Sequence, residues 1–320
     1  MCALKVSIVT NAKEDTKVYT DKIFPAGMDV LLQTEDEMLA DIANLNVLIP
    51  GHISVGADLI SKGSNLQLIH CGTGYNNVDL DAANKQGAYV AVTPNVAAQS
   101  VAELVFAMIL TLSKRINTMD ATMKSGGWKT SDFIDVPELR GKNMGIVGYG
   151  NIGKAAGRIA KGFGMNIIAH DPHITIDEEG VKSASFEELL KESDFITLHV
   201  LLTAQTKGLM STPQFEMMKN SAVVVNASRG PVVDETAIVE ALKQGKIGGA
   251  CLDVFEKEPL ASDSALRKLD NIILTPHIAY CANEALAGRY QFFADNCALV
   301  AGGEQPQMAV NADAVKGNGK

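Results

Sequence analysis

The sequence predicts an α/β protein with two domains, each built around a parallel β-sheet. Short runs of β-branched residues alternate with amphipathic helical stretches along almost the whole chain, which is the pattern of repeated β-α units. The 320 residues fit two domains of ~100–200 residues each. A composition of 47% hydrophobic and 20% charged residues is typical of globular proteins.

The first α/β unit is predicted over residues 1–98. Thr34 and Glu37 form a capping box that begins a helix within this unit. A single long helix then follows from about Ala97 to Met123, and its segment Val101–Leu112 is apolar on nearly every side. Such a helix is expected to be buried, either between domains or in a subunit interface. The strands predicted in the first unit are Val6–Val9, Val47–Ile49, Gln67–His70 and Tyr89–Val92.

A second series of β-α units begins at Asn143, after a predicted loop over Lys124–Arg140. Asp234 is a predicted N-cap residue, and a last helix is predicted at about 283–301. The tail Asn311–Lys320 is polar and is expected to lack fixed structure. The strands predicted in this series are 143–147, 166–170, 194–199, 222–226, 249–252 and 272–274.

A dinucleotide-binding fingerprint lies at the start of the second series. Residues 148–153 match GxGxxG, follow the strand Met144–Val147 and begin the helix Asn151–Phe163. The first glycine permits a tight turn, the second lets the backbone approach a pyrophosphate, and the third lets helix and strand pack closely. The pyrophosphate would lie at the positive end of the helix. The residues of the motif are Gly148, Tyr149, Gly150, Asn151, Ile152 and Gly153.

An acidic residue follows the next strand. Asp171 lies 18 positions beyond Gly153, close to the ~20 expected for an acid that binds the ribose hydroxyls. Its charge would repel a 2′-phosphate, and no Arg occurs in 172–177, so the sequence favours NAD over NADP. His170 and His173 leave that preference open.

The position of the fingerprint predicts the domain organisation. It begins at 148, after a complete first α/β unit, so the nucleotide-binding domain is predicted to be inserted into a discontinuous first domain. The predicted boundaries are 1–98 and 285–320 for the substrate domain and 99–284 for the NAD-binding domain.

Charge and cysteine usage exclude several classes of function. A net charge of -9 disfavours nucleic acid and anionic membrane surfaces as partners. Five scattered cysteines predict neither a disulfide framework nor a zinc site, and a reducing cytoplasm is the expected location. The most apolar stretch, Leu104–Leu112, falls short of the ~20 residues that a membrane helix needs.

Three segments that follow strands of the second series carry reactive side chains. Asn226–Gly230 carries Arg229, Leu252–Pro259 carries Glu258, and Thr275–Ala279 carries His277. Ligands of open parallel sheets bind outside the carboxyl ends of strands. An Arg fork suits a carboxylate, and a His can exchange a proton near neutral pH. Hydride transfer to a ketone needs this set: an anchor, a proton donor and an acid that orients the donor.

At these residues the chain resembles the D-isomer-specific 2-hydroxyacid dehydrogenases. The resemblance covers about residues 45–300 and implies a Rossmann domain inserted into a flavodoxin-like substrate domain. It also implies hydride transfer between NAD and a small 2-hydroxy or 2-oxo acid, and a homodimer. The segments that carry the resemblance are His70–Leu80, Gly148–Gly153, His199–Thr203, Asn226–Pro231, Ala250–Pro259 and Thr275–Ala279.

The resemblance implies a role for each site residue. His277 would exchange the proton, Glu258 would hydrogen-bond its other ring nitrogen, and Arg229 would bind the substrate carboxylate. Asp253 would hold the nicotinamide carboxamide. The implied cofactor contacts beyond the glycine motif are Asp171, Pro172, His199, Val200, Leu201, Thr206, Ala227, Ser228, Arg229, Asp253, His277 and Ala279. The implied substrate contacts are Gly51, His52, Thr73, Gly74, Tyr75, Arg229, His277 and Tyr280.

Several substrates and functions remain open. Ile49–Ile53 and His70–Tyr75 contain no Arg or Lys, which disfavours phosphoglycerate, and the absence of Lys from the second stretch disfavours phosphite. Glu258 disfavours formate dehydrogenase. Glyoxylate, hydroxypyruvate, pyruvate or a slightly larger 2-oxo acid remain. A dinucleotide-sensing protein, like the corepressors of this fold, is the alternative from another class. Leu201, where the family often has Pro, departs from the family pattern.

Overall fold

The computed structural model describes residues 4–93, 96–128 and 136–317. The chain divides into two compact units, and each contains one parallel sheet. Unit 1 comprises Met1–Val96 and Ala282–Lys320, and unit 2 comprises Ala97–Cys281. The predicted loop over Lys124–Arg140 lies partly outside the described residues, since 129–135 are not among them.

Each unit is built around its parallel strands, and side chains of strands and helices together form the core. They are β1 (Lys5–Val9), β2 (Asp29–Gln33), β3 (Val47–Ile49), β4 (Leu68–Cys71), β5 (Tyr89–Val92), β6 (Asn143–Val147), β7 (Asn166–His170), β8 (Val181–Ser183), β9 (Phe195–Leu198), β10 (Val223–Asn226), β11 (Gly249–Leu252) and β12 (Ile272–Leu274). Central strands such as β4 and β9 are buried at every position, because helices cover both faces of a parallel sheet.

Helices connect these strands, as β-α units require. They are α1 (Lys13–Ile23), α2 (Glu35–Asp41), α3 (Ala57–Lys62), α4 (Leu80–Gln86), α5 (Ala98–Ser113), α6 (Ile116–Lys124), α7 (Asn151–Gly162), α8 (Phe186–Glu192), α9 (Thr212–Met217), α10 (Glu235–Lys243), α11 (Asn283–Ala301) and α12 (Ala312–Gly317). The predicted caps form: Thr34 and Glu37 make the capping box of α2, and the Asp234 carboxylate accepts from the Ala237 backbone N–H at the start of α10.

The strand orders confirm the predicted fold class. The sheet of unit 1 has the order β2-β1-β3-β4-β5, which is the flavodoxin-like arrangement. The sheet of unit 2 has the order β12-β11-β10-β9-β6-β7-β8, in which β6 and β9 flank the point where the strand order reverses, as in the Rossmann fold. The carboxyl ends of β6, β7, β9, β10, β11 and β12 therefore lie along one edge of the second sheet.

The prediction of a single helix from Ala97 to Met123 is wrong. Two helices, α5 and α6, occupy this stretch, and they are separated at Arg115, whose backbone is left-handed with φ 54°. A left-handed residue cannot continue the helical hydrogen-bond ladder, so the chain changes direction there. The burial of the apolar segment is as expected, with Val105 and Ile109 fully buried in α5. No residue of α6 is buried.

Two edge strands and the C-terminal tail also differ from the prediction. β8 has a single apolar residue, Val181, and therefore no hydrophobic run that marks it as a strand. β2 was also not predicted, although it contains the apolar run Val30–Leu32. The tail prediction is wrong for Asn311–Gly317, where Asn311 is buried and is followed by α12. The Asn311 side chain accepts from the Val90 backbone N–H at 2.8 Å and donates to the Ala88 carbonyl at 2.9 Å.

His70, at the end of β4, is fully buried in unit 1. Its Nε2 lies 2.8 Å from the Asn296 Nδ2, whose own orientation is set because Asn296 Oδ1 accepts from the Gln307 backbone N–H. The amide donates, so Nε2 accepts, and the proton of the neutral ring lies on Nδ1, 3.1 Å from the Cys71 carbonyl. Burial lowers the pKa of His70 to about 4.

His70 is therefore expected to make the protein sensitive to acid. Unfolded His titrates near 6.5, so between pH 6.5 and about 4 the unfolded chain binds a proton that the folded chain does not. The free energy of unfolding is therefore unaffected by His70 above this range. It decreases as the pH falls through the range, by about 1.4 kcal/mol per pH unit, because protonation stabilises only the unfolded chain. Urea unfolding of His70→Gln across this range should show a shallower pH slope than wild type. The control His173→Gln, at an exposed position, should keep the wild-type slope; equal slopes for all three proteins would refute the assignment.

Among the described residues, no helix has the length and apolar character needed to cross a membrane.

Candidate active site

The glycine turn joins β6 to α7. Gly148 has φ 89°, and a Cβ there would lie 2.5 Å from the His199 carbonyl oxygen, so no side chain fits. A Cβ on Gly153 would lie 2.2 Å from the Gly148 carbonyl oxygen. Above Gly150, in contrast, no atom lies within 4 Å of the Cβ position. The turn is thus closely packed at Gly148 and Gly153 and open at Gly150. The open space lies at the N-terminus of α7, where the binding of a phosphate is favoured.

Asp171 lies beside this turn, after β7. Its Oδ2 accepts from the Tyr149 backbone N–H at 2.9 Å, and its Oδ1 accepts from the His173 backbone N–H at 2.9 Å. Each carboxylate oxygen can accept a further hydrogen bond, as two ribose hydroxyls require. Pro172 is exposed next to it. The Tyr149 side chain is turned inward and is only 1% exposed, so Tyr149 faces the turn with its backbone alone.

The segment after β9 begins with His199. Its Nε2 lies 3.0 Å from the Thr197 hydroxyl, and its Nδ1 is a buried polar atom without a partner among the described residues. Burial lowers the pKa of His199 to about 3, so the ring is neutral. Leu201 is 67% exposed, and the Thr206 hydroxyl donates to its carbonyl, which shapes the loop without the proline that the family often has.

Asn226 organises the turn that presents Arg229. The buried Asn226 Oδ1 accepts from the Ser228 backbone N–H and hydroxyl, and its Nδ2 donates to the Arg229 carbonyl at 2.9 Å. The Arg229 Nη1 donates to the Ser228 carbonyl at 2.7 Å. Burial lowers the pKa of Arg229 and the charge of Glu258 opposes this shift, while a guanidinium stays charged in either case.

Gly230 brings this turn against the loop that carries Glu258. A Cβ at Gly230 would lie 1.8 Å from the Phe255 carbonyl oxygen and 2.5 Å from the Glu256 nitrogen. Two backbones therefore touch at this point, which only glycine allows. The contact fixes the spacing between the Arg229 turn and the Glu258 loop.

Glu258 and His277 form the central pair of the site. The His277 Nδ1 lies 2.7 Å from the Glu258 Oε2, and the other carboxylate oxygen accepts from the Phe255 backbone N–H at 3.0 Å. The carboxylate is held by its own loop and in turn orients the imidazole. The side chains of His277 and Glu258 are 24% and 34% exposed. The Tyr280 ring meets the His277 ring edge-on, with centroids 6.1 Å apart.

Asp253 fastens the turn that carries His277. Its carboxylate is fully buried and accepts from the Thr275 hydroxyl at 2.6 Å and from the Ile278 and Ala279 backbone N–H groups at 2.9 Å. His277 itself has φ 54°, a left-handed conformation that is unfavourable for a residue with a side chain. The three hydrogen bonds from the turn to one carboxylate compensate for that conformation.

The structure thus brings together the residues that sequence analysis placed after the strands of unit 2. Three residues that hold the site in place were missed: Asn226, Gly230 and Thr275. All three lie within the strand-end segments that sequence analysis singled out. An Asn or Thr at the end of a buried strand often hydrogen-bonds the nearby backbone, which is a weak signal that could have identified Asn226 and Thr275.

The predicted substrate contacts Gly51, His52, Thr73, Gly74 and Tyr75 lie in unit 1. Gly51 and His52 are exposed after β3, and Gly51 has φ 59°. The other three follow β4. Within the described part of the chain, no acceptor binds the backbone N–H groups of Thr73–Tyr75, so three consecutive donors are available.

The residues of unit 2 fit a dinucleotide. The open space at Gly150, the Asp171 carboxylate beside it and the unpartnered Nδ1 of His199 lie along one edge of the sheet, at the reversal of strand order. Gly148–Gly153 would hold the pyrophosphate, Asp171 the adenosine ribose, and Asp253 the carboxamide. Asp253 has about one of its four acceptor positions left for that bond.

Comparison with known proteins finds relatives over most of the chain. The sequence profile of the D-isomer specific 2-hydroxyacid dehydrogenase NAD-binding domain matches residues 106–279. The chain is 42% identical over 270 residues to the glyoxylate reductase of Thermococcus litoralis, covering 81% of each protein. It is 35% identical to the D-3-phosphoglycerate dehydrogenase of Archaeoglobus fulgidus, covering 98% of this chain and 60% of that protein.

A solved structure agrees with these sequence matches. D-lactate dehydrogenase from Aquifex aeolicus, complexed with NAD and lactic acid, superposes with a TM-score of 0.82 at 29% identity over 98% of each chain. Fold, site and matches together define an oxidoreductase that acts on 2-hydroxy acids with NAD as cofactor, as predicted. The chain belongs to the D-isomer specific 2-hydroxyacid dehydrogenase family.

Proposed function

We propose that this protein is an NAD-dependent dehydrogenase that interconverts a small, unphosphorylated 2-oxo acid and its D-2-hydroxy acid. The observation that carries the proposal is the distance of 2.7 Å between the Glu258 carboxylate and the His277 Nδ1. The loop of Glu258 packs against the Arg229 turn at Gly230. The cofactor-binding motif and the catalytic pair all lie in unit 2.

In the proposed mechanism, His277 donates a proton from Nε2 to the substrate carbonyl oxygen during reduction. Glu258 accepts the hydrogen bond from Nδ1, which fixes the orientation of the ring while Nε2 delivers the proton. Arg229 binds the substrate carboxylate and polarises the carbonyl. Bound NADH supplies the hydride.

The side chains around the proposed substrate loop favour a small substrate without phosphate. His70–Tyr75 contains no Lys or Arg, and a phosphate dianion needs such partners. The Tyr280 ring beside His277 occupies space next to the proton donor. We therefore expect the substrate to resemble that of the glyoxylate reductase reported above rather than that of the phosphoglycerate dehydrogenase.

The test is a substrate screen with NADH and NADPH in parallel. Glyoxylate, pyruvate, hydroxypyruvate and larger 2-oxo acids should support oxidation of NADH, with a higher kcat/KM than 3-phosphohydroxypyruvate. Preference for the phosphorylated acid would overturn the substrate class. Tight NADH binding without turnover of any acid would overturn the enzyme assignment and identify a dinucleotide-sensing protein.

Asp171 is expected to set the preference for NAD. Asp171→Ala removes the carboxylate that would bind both ribose hydroxyls and repel a 2′-phosphate, so we expect weaker NADH binding, by about tenfold, and a smaller difference between NADH and NADPH. Kd values for both cofactors, measured by fluorescence titration, give the ratio directly. The neighbouring Asp177→Ala serves as control. An unchanged ratio in Asp171→Ala would assign the preference to another residue.

The proposed assembly is a homodimer whose interface includes α6 and Trp128. Ile116 and Met123 on α6 are 49% and 53% exposed, and Trp128 is 78% exposed, an apolar surface that a second copy of the chain would cover. Light scattering should give twice the chain mass of 34.0 kDa, and Met123→Glu should lower it. A wild-type monomer at micromolar concentration would refute this assembly.

A further inference from the structure

Tyr149, the second residue of the glycine motif, has a side chain that the proposed mechanism does not use. Its ring is buried against α7, where a Cβ on Gly157 would lie 3.1 Å from the tyrosine oxygen. The glycine at 157 therefore makes room for this ring inside the helix–sheet layer. A tyrosine in such a position needs a hydrogen-bond partner for its hydroxyl.

That partner comes from the segment after Asp171. The Tyr149 hydroxyl donates to the Glu178 Oε2 at 2.9 Å. The other oxygen of Glu178 accepts from the Lys161 Nζ at 2.8 Å, and Lys161 also donates to the Glu179 carbonyl at 2.8 Å. Burial and the nearby carboxylate raise the pKa of Tyr149, so its hydroxyl remains a donor, and the Lys161 ammonium lowers the pKa of Glu178, which remains an acceptor.

The backbone of the same residue holds the other end of that segment. The Tyr149 N–H donates to the Asp171 Oδ2 at 2.9 Å, while its hydroxyl bonds Glu178, seven positions further along the chain. Segment 171–178 contains the exposed residues Pro172 and His173 and is fastened at its two ends by one residue of the glycine turn. Movement of this segment would move the Asp171 carboxylate away from the turn.

We propose that the Tyr149 hydroxyl, through Glu178, is a positioning group for the adenosine end of the cofactor site: it holds Asp171 at the distance from the glycine turn that a ribose-pyrophosphate unit requires. The inference rests on the proposed binding of NAD by unit 2. It assigns to Tyr149 and Glu178 a role in cofactor affinity and selectivity without direct contact to the cofactor.

The main test variant is Tyr149→Phe, which keeps the ring and removes only the hydroxyl. Loss of a hydrogen bond to a charged group should weaken NADH, ADP-ribose and AMP by about threefold to tenfold. Binding is measured by calorimetry without turnover, so the result does not depend on the substrate. The ratio of NADH to NADPH affinity should also decrease, because Asp171 is less firmly placed. In steady-state assays the effect should appear in the KM for NADH rather than in kcat.

Three further variants separate positioning from a general loss of stability. Glu178→Gln keeps an acceptor for the hydroxyl and should bind AMP close to the wild-type level, whereas Glu178→Ala should match Tyr149→Phe. The double variant Tyr149→Phe/Glu178→Ala should be no weaker than either single variant, because both remove the same bond. The control Tyr19→Phe removes a tyrosine hydroxyl that bonds Asn283 in unit 1 and should leave AMP binding unchanged.

Wild-type affinity for AMP and ADP-ribose in folded Tyr149→Phe would overturn the proposal. So would an additive loss in the double variant, or weaker binding without any change in the NADH to NADPH ratio. If wild type binds NADH but turns over no 2-oxo acid, the proposed enzyme function fails while the binding comparison still decides the role of Tyr149.

Discussion

His277→Ala is expected to lower kcat for reduction of a 2-oxo acid by about 10²–10⁴-fold, the usual value of a positioned general acid. The structure provides the reason: His277 is the imidazole oriented by Glu258 at 2.7 Å, on a turn next to the end of β12. NADH should bind the variant as it binds wild type, because the glycine turn and Asp171 are untouched. Steady-state rates at 340 nm and an NADH titration measure the two quantities separately.

Two neighbouring acids supply the matched comparison for this prediction. Glu258→Gln should lower kcat by less than His277→Ala, since a glutamine oxygen still accepts from Nδ1 but carries no charge. Glu256→Gln should stay within about twofold of wild type, because Glu256 bonds the Glu235 backbone N–H rather than the imidazole. A rate for His277→Ala close to wild type, or a larger loss in Glu256→Gln than in Glu258→Gln, would remove the catalytic assignment.

Asp253→Asn is expected to lower both kcat and stability, although the two side chains have the same size. The carboxylate accepts three hydrogen bonds from the turn that carries His277, and the amide group of asparagine would direct an N–H at one of these donors. An unmade buried hydrogen bond costs about 1–3 kcal/mol of unfolding free energy. Because the left-handed conformation at His277 depends on these bonds, displacement of the imidazole should lower kcat by about 10²-fold.

Asp234→Asn is the matched control for this change. Asp234 is the N-cap of α10, where asparagine caps as well as aspartate, so neither urea unfolding nor kcat should change beyond experimental error. Asp253→Asn with the stability and rate of wild type would show that the turn holds His277 without the carboxylate. A loss of NADH affinity alone would instead limit Asp253 to the carboxamide contact.

The sequence was sufficient for the central elements of the fold because their signals are local. Buried parallel strands such as β9 and β10 are mostly apolar runs, and the caps of α2 and α10 need only a few neighbouring residues. β8, in contrast, has a single apolar residue, Val181, and no local run marks it as a strand. Its pairing with β7 is visible only in the folded sheet.

The break at Arg115 and the ordered tail appear only in the folded structure. Residues 98–124 have a helical pattern throughout, but α5 is buried in unit 2 whereas no residue of α6 is buried. Asn311 is a polar residue in a polar tail, yet it completes hydrogen bonds at Val90 and Ala88, more than two hundred positions away. Neither partner can be inferred from the composition of the tail.

By itself, the sequence determined which chemical groups this protein possesses: the GxGxxG motif, the acid after the next strand, and an Arg, a Glu and a His that each follow a strand. Their positions relative to strands are local properties, and parallel sheets bring strand ends to one edge. The tertiary structure decided how these groups are held. Three contacts hold them, and each joins segments that are separated in the chain: the backbone contact at Gly230, the hydrogen bonds to the Asp253 carboxylate, and the bond from the buried Tyr149 side chain to Glu178. Such contacts exist only once the sheet has formed, because close packing and directional hydrogen bonds are properties of neighbours in space.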